Sequence, residues 1–286
     1  MEIVLENALS RAVVRSRGGE LVSFAEKSTG REYIWQGKKG VWEDHCYNIF
    51  PFAGRLRGDV YTLAGVPYRM PLHGFLLQSE LTLGKRTESE VSFFLESDEK
   101  TLAVYPFPFR YEVTIALRDR GVCFSYCAEN RGTQTMYCQF GAHPGFNLPF
   151  EEGADFKDYR LKFGGKTKRL FLDGDRLFTG NTEELPENTL RLSHEIFADS
   201  ARMYRTDGGR VRLERAGGRR AIELRFEGFP YLVLWSQGEE KLLCVEPWGS
   251  RTVTRTGEDA LENRKDLLTL APGERATRNW SFEVTI

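Results

Sequence analysis

The chain has 286 residues, 41% of them hydrophobic and 28% charged, with Lys plus Arg at 40 against Asp plus Glu at 41. A chain of this length buries roughly three quarters of its unfolded surface, so a large core needs no disulfide or metal staples. The even charge balance offers no basic field to hold nucleic acid or an anionic membrane, and no run approaches the roughly 18 apolar residues of a membrane span.

Residues 1–7 lack the basic start and apolar stretch of a secretory leader, so a soluble, cytoplasmic protein is expected. Residues 12–17 and 20–25 flank Gly18-Gly19, which predicts a hairpin with a two-residue turn. Tyr111, Val113, Ile115 and Leu117 alternate along one strand, and Val122, Phe124, Tyr126 and Ala128 along the next. Cys123 and Cys127 lie between the latter, their backbones roughly 13 Å apart at about 3.3 Å per residue. Zinc holds its sulfurs at about 2.3 Å, and no Cys-x-x-Cys occurs, so the two are expected to be core-filling thiols. Five cysteines in all suit reduced thiols better than a disulfide scaffold.

Residues 151–187, rich in Gly, Asp and Lys, are the least periodic part and read as a long excursion. Residues 193–197 are the best helical candidate, a capped turn. Gly217-Gly218 predicts a second hairpin between residues 211–215 and 219–226. Trp280, Phe282, Val284 and Ile286 close the chain with the same alternation. No linker, repeat or low-complexity tract divides it. The expectation is an all-β chain forming one domain over residues 1–286, a large antiparallel β-sandwich with curved sheets packed face to face.

Three segments place ionisable residues among apolar and aromatic neighbours: Phe50-Pro51-Phe52-Ala53-Gly54-Arg55 with Pro71-Leu72-His73-Gly74-Phe75, Gly141-Ala142-His143-Pro144-Gly145-Phe146, and Leu242-Leu243-Cys244-Val245-Glu246-Pro247-Trp248. The prolines after His143 and Glu246 bias both to extended backbone at a strand end. Each has a plain structural reading beside the functional one. A histidine in an apolar strand serves as a hydrogen-bonded core residue, and Arg55 as an ion-pair partner. Glu246 follows Leu-Leu-Cys-Val and loses hydration unless it is paired, which raises a carboxyl above its ordinary value near ~4.3 and makes it a better base. No Gly-rich phosphate loop opens a helix, and no Gly-x-Ser-x-Gly elbow occurs.

With these four motifs in this order, and with Glu32-Tyr33-Ile34-Trp35 near the start and Leu270-Ala271-Pro272-Gly273-Glu274 near the end, the sequence resembles the aldose 1-epimerase (galactose mutarotase) family, closest to a bacterial branch of undefined substrate. The resemblance implies the mutarotase-like β-supersandwich, no cofactor and no metal, and a small-molecule sugar whose α and β anomers are interconverted. It implies His143 as the acid and Glu246 as the base, with Arg55 and His73 binding the sugar. Such chemistry needs an acid and a base on opposite sides of one sugar and no nucleophile. Trp248 is weighed as a platform for the sugar's apolar face and as a core residue. Ala53 stands where many mutarotases carry Asn, and Asp199, in Phe197-Ala198-Asp199-Ser200, does not match the family's aspartate. Two alternatives remain beside a free hexose. One is a hexose-6-phosphate 1-epimerase with Arg57 or Arg69 on the phosphate. The other is a non-catalytic carbohydrate-binding sandwich.

Overall fold

A computed structural model of the chain describes residues 1–199 and 201–286. The alternating runs become strands, and every strand ladder among the described residues is antiparallel. A nine-stranded sheet centres on Phe109–Arg118, Gly121–Asn130 and Arg275–Thr285. A seven-stranded sheet runs in the order Phe178–Glu184, Thr167–Leu172, Arg202–Thr206, Tyr231–Trp235, Leu242–Trp248, Gly141–Asn147, Cys46–Ile49. Aromatic rings from the two sheets meet between them: Phe50 on Tyr111 at 5.0 Å, Phe140 on Tyr126 at 5.7 Å, Phe146 on Phe282 at 5.4 Å. This is the expected sandwich. No helix among the described residues is long and apolar enough to cross a membrane.

Several local expectations need correction. Val122, Phe124, Tyr126 and Ala128 take the core face of their strand, so Cys123 is exposed and Cys127 half-buried on the other face; neither fills the core. Residues 151–187 are no excursion: they supply Tyr159–Phe163 to the nine-stranded sheet and Thr167–Leu172 and Phe178–Glu184 to the seven-stranded one. Their polar composition reflects exposure, since Phe178–Glu184 is an edge strand open to solvent for most of its length. The two glycine-pair hairpins form, but between Ser10–Arg15 and Glu20–Glu26 and between Arg210–Arg215 and Ala221–Arg225, with loops longer than two residues. His194–Phe197 is a single 3₁₀ turn without a side-chain cap at Ser193. The one α-helix among the described residues, Glu99–Val104, carries a capping box in which Asp98 and Thr101 bond each other's backbone N–H.

One buried polar chain ties the layers together. Asn48, 1% exposed, donates through Nδ2 to the carbonyls of Gly18 at 3.0 Å and Gly19 at 2.6 Å. Its Oδ1 accepts from the Tyr126 hydroxyl at 2.8 Å, which in turn accepts from the Trp280 indole at 2.6 Å. Asn48 thus anchors the strand whose opposite face presents Tyr47. Asn48→Leu fits the volume but strips partners from two carbonyls and a hydroxyl, so it should lower the unfolding free energy by roughly 2 kcal/mol or more, measured by urea denaturation.

Candidate active site

The outer face of the seven-stranded sheet carries its own apolar layer, formed by Tyr47, Ile49, Ala53, Leu170, Met203, Tyr231, Val233 and Trp248. The pleat puts every second residue on this face, and strand pairing aligns Tyr47 with His143, Val233 with Glu246, and Met203 with Val233. The pairs Gly141–Trp248 and Gly145–Cys244 bracket the remaining gap, which sets His143 opposite Glu246. Both therefore sit in mid-strand, not at strand ends; Pro144 and Pro247 have no N–H to donate and are tolerated where the ladder between these strands lapses. A cleft of about 750 Å³, mouth included, opens over this row. Arg55, His73, His143 and Glu246 all line it, so the structure brings together the four residues singled out in the sequence.

His143 and Glu246 stand side by side rather than on opposite sides of a ligand. His143 Nε2 lies 3.2 Å from Glu246 Oε2, with the two side chains 9% and 1% exposed. Burial pushes the Glu246 carboxyl well above the ordinary range, against a 3.1 Å hydrogen bond donated by the Trp248 indole to Oε2 and against the charge of Arg176. Burial likewise holds the His143 imidazole well below its usual value, and the neighbouring His73 adds to this. Nδ1 of His143 is buried without a hydrogen-bond partner. The ring is bracketed instead by aromatics, stacked on Tyr47 at 4.6 Å and packed on Trp42 at 5.0 Å. Such π faces favour the cationic form of the ring between them. Gly145 lacks a Cβ because one would drive into the Trp42 ring.

His73 comes from a loop that folds back on the first motif. Its φ of 66° and that of Gly74, 79°, are both left-handed, and a Cβ on Gly74 would strike the Phe50 carbonyl. The Gly54 N–H donates to His73 Nδ1 at 3.4 Å, leaving Nε2–H as a donor. Desolvation, with the charges of Arg55 and Arg176, holds this imidazole down to about 3, so it is neutral. Arg55, pointing in from the same loop system, pairs with Asp59 at 3.3 Å and is one-third exposed. His73, His143 and Glu246 hold ligand atoms within 4.8 Å of one another, the one such grouping among the described residues that a metal ion could bridge. The Gly54 contact favours the tautomer in which His73 offers a proton there rather than a lone pair.

Other residues find their places. Trp248 lines the cleft while bonding Glu246, so it belongs to the site and not to the sandwich core. Asp199 is exposed and outside the cleft; Ser200 lies outside the described residues. Ala53 is buried in the outer apolar layer. Arg57 is bound to Asp259 and to the Arg255 carbonyl, and Arg69 is exposed at the end of Val66–Arg69; neither lines the cleft. Trp42, Tyr47 and Arg176 line it without having been singled out. Tyr47 was within reach of the sequence, three residues before Phe50-Pro51. Trp42 and Arg176 carried no local signal, because loops bring them in from elsewhere.

The arrangement is an imidazole and a carboxyl side by side under an apolar, aromatic wall, with a second imidazole and a guanidinium lining the same cleft. The sequence model for aldose 1-epimerases matches residues 1–283. A chromosomally encoded LacX protein of Lactococcus lactis subsp. lactis is 27% identical over the whole of this chain and 99% of its own length. Among solved structures, a galactose mutarotase related enzyme from Lactobacillus acidophilus superposes with a TM-score of 0.95 at 27% identity, covering 100% of this chain and 98% of the other. A galactose mutarotase-like protein from Lactobacillus casei does so with a TM-score of 0.91 at 27% identity, covering 99% and 100%. With that match over almost every residue, and a galactose mutarotase-like fold to go with it, the chain belongs to the aldose 1-epimerase family.

Proposed function

We propose that this protein interconverts the α and β anomers of an aldose by acid/base ring opening and closure, with His143 as acid and Glu246 as base. Glu246 takes the proton of the anomeric hydroxyl while His143 protonates the ring oxygen, and the bond from C1 to that oxygen breaks. Rotation about the C1–C2 bond turns the other carbonyl face to the returning hydroxyl, and the reverse transfers close the ring. The observation that carries this reading is the 3.2 Å contact of His143 with Glu246. Both reacting oxygens are bonded to C1, so an acid and a base that serve them must be neighbours. His73 Nε2–H and the Arg55 guanidinium supply donors for the remaining sugar oxygens. We read the chain as one domain, since a single core runs from Ile3 to Val284, and as cytoplasmic, since all five cysteines are unpaired.

The proposed roles set the protonation states through which the pair passes. Before reaction the pair is imidazolium and carboxylate; once both protons have moved it is imidazole and carboxylic acid. Burial favours the second state, so the starting ion pair carries a desolvation cost, opposed by the Trp248 hydrogen bond, the Arg176 charge and the π faces of Tyr47 and Trp42.

Polarimetry of freshly dissolved aldoses with the purified protein tests the reading; no acceleration for any aldose would favour a sandwich that only binds carbohydrate. Glu246→Gln should lower turnover roughly 100-fold or more. Its effect on stability has the opposite sign. The unfolded carboxyl ionises in the ordinary range and the folded one well above it. Wild-type stability is therefore complete below the ordinary range and is lost as pH rises toward the folded value. The glutamine variant escapes that loss, so it should resist urea better than wild type at about pH 8 and nearly equal it at about pH 4. Near-normal turnover in this variant would remove Glu246 from the mechanism.

His143→Asn should depress turnover with a smaller change in KM, because its proton is needed only as the ring oxygen departs. The proposed steps are proton transfers alone, so EDTA should leave the rate unchanged. Inactivation that zinc reverses would point to a metal held by His73, His143 and Glu246 instead.

A further inference from the structure

On the outer face of the seven-stranded sheet, Val233, Glu246, His143 and Tyr47 form one row across four neighbouring strands. Adjacent strands lie roughly 4.8 Å apart, so the row measures distance along the floor of the cleft. Tyr47 ends it, because Cys46–Ile49 is an edge strand of that sheet.

The proposed chemistry lays a pyranose along this row. The anomeric oxygen meets Glu246 and the ring oxygen meets His143. Both oxygens are bonded to C1, and the ring oxygen is bonded in turn to C5. The step from Glu246 to His143 is therefore a step from the anomeric end toward C5. Tyr47, next in the row, faces C5 and the group that C5 carries. In an aldohexose that group is C6 with its hydroxyl.

Tyr47 is held firmly there but leaves its polar tip unused. Its ring stacks on His143 at 4.6 Å and packs on Trp42 at 6.2 Å and on His73 at 6.1 Å. The buried bonds of Asn48 fix the same strand from its other face. Buried tyrosine hydroxyls usually find a partner. Tyr61 donates to the Val104 carbonyl at 2.7 Å, Tyr105 to the Tyr137 carbonyl at 2.8 Å and Tyr126 to Asn48 at 2.8 Å. The Tyr111 hydroxyl has none, but it is sealed in the core between the sheets. Tyr47 lines the cleft, 5% exposed, and its hydroxyl makes no hydrogen bond among the described residues. Burial, and then the neighbouring Glu246 carboxylate, push that hydroxyl well above its ordinary range, so it keeps its proton. It can both donate to an alcohol and accept from one.

We infer that Tyr47 contacts the substrate, bonding the hydroxyl on C6 of an aldohexose and so selecting hexoses over their 6-deoxy counterparts, an inference that rests on the anomer-exchange reading above. C5 and C6 keep their places while C1 turns. The contact therefore holds the far end of the opened chain through the rotation.

Tyr47→Phe removes the hydroxyl and keeps the aromatic stack, so it should melt like wild type. Anomer exchange is followed by proton NMR saturation transfer, with the spontaneous rate subtracted, on two matched pairs. These are galactose with 6-deoxygalactose and glucose with 6-deoxyglucose. In wild type the hexose should exceed its 6-deoxy partner in kcat/KM by roughly fivefold, the effect of one hydrogen bond. The difference should lie mainly in KM, since the contact is present before and during reaction. In Tyr47→Phe the ratio should fall to near one, because loss of either hydroxyl already removes the bond. A tyrosine that only supports the fold or the His143 ring would cost both members of a pair alike and leave the ratio unchanged. That result, or equal efficiency for both members in wild type, would overturn the inference while leaving the anomer-exchange reading intact. The wild-type comparison holds even if the variant does not fold. Exchange of none of the four sugars would also overturn it, and the anomer-exchange reading falls with it only if every other aldose fails as well.

Discussion

The site depends on one physical constraint: a carboxyl and an imidazole, 3.2 Å apart and nearly out of water, must divide a single proton between them. As ions they suffer desolvation, and as neutral groups they lose their mutual attraction. Surrounding contacts oppose the cost of the ionic arrangement. The Trp248 indole and the Arg176 charge favour the carboxylate, while the π faces of Tyr47 and Trp42 favour the imidazolium. Burial pulls the other way on both groups.

The sandwich serves that pair by geometry. Neighbouring antiparallel strands put His143 opposite Glu246, and their flanking strands add Tyr47 on one side and Val233 on the other. Every second side chain of the sheet therefore contributes to one continuous wall. The inner face of the same strands is locked by packing and by the Asn48–Tyr126–Trp280 chain of hydrogen bonds, which resists any slip of register. The strands supply His143 and Glu246, where position matters most. The loops supply Arg55, His73, Trp42 and Arg176, where reach matters more.

The loops are themselves braced. Gly74 and Gly145 are glycines because backbone and indole pack where a Cβ would stand. Asp173 closes the turn under Arg176 with its own carboxylate. An apolar floor of Leu172, Met203 and Val233 completes the cleft, so that polar contacts are few and directed.

The sequence by itself determined the strand-rich class, because period two and turn residues are local properties of the chain. It also determined His143, Glu246, Arg55 and His73 as site candidates, since each stands in a short motif where an ionisable group sits among apolar neighbours beside Gly or Pro. Only the tertiary structure decided that His143 and Glu246 touch: strand pairing joins positions about a hundred residues apart, and nothing local encodes which strands will be neighbours. It alone turned residues 151–187 from an excursion into strands of both sheets, because edge strands open to water need no apolar alternation. Nothing local marked Arg176 either, which lines the cleft because its turn lands against Thr252. Cys123 and Cys127 went astray for a related reason: alternation shows that two residues share a face, and packing alone decides which face is buried.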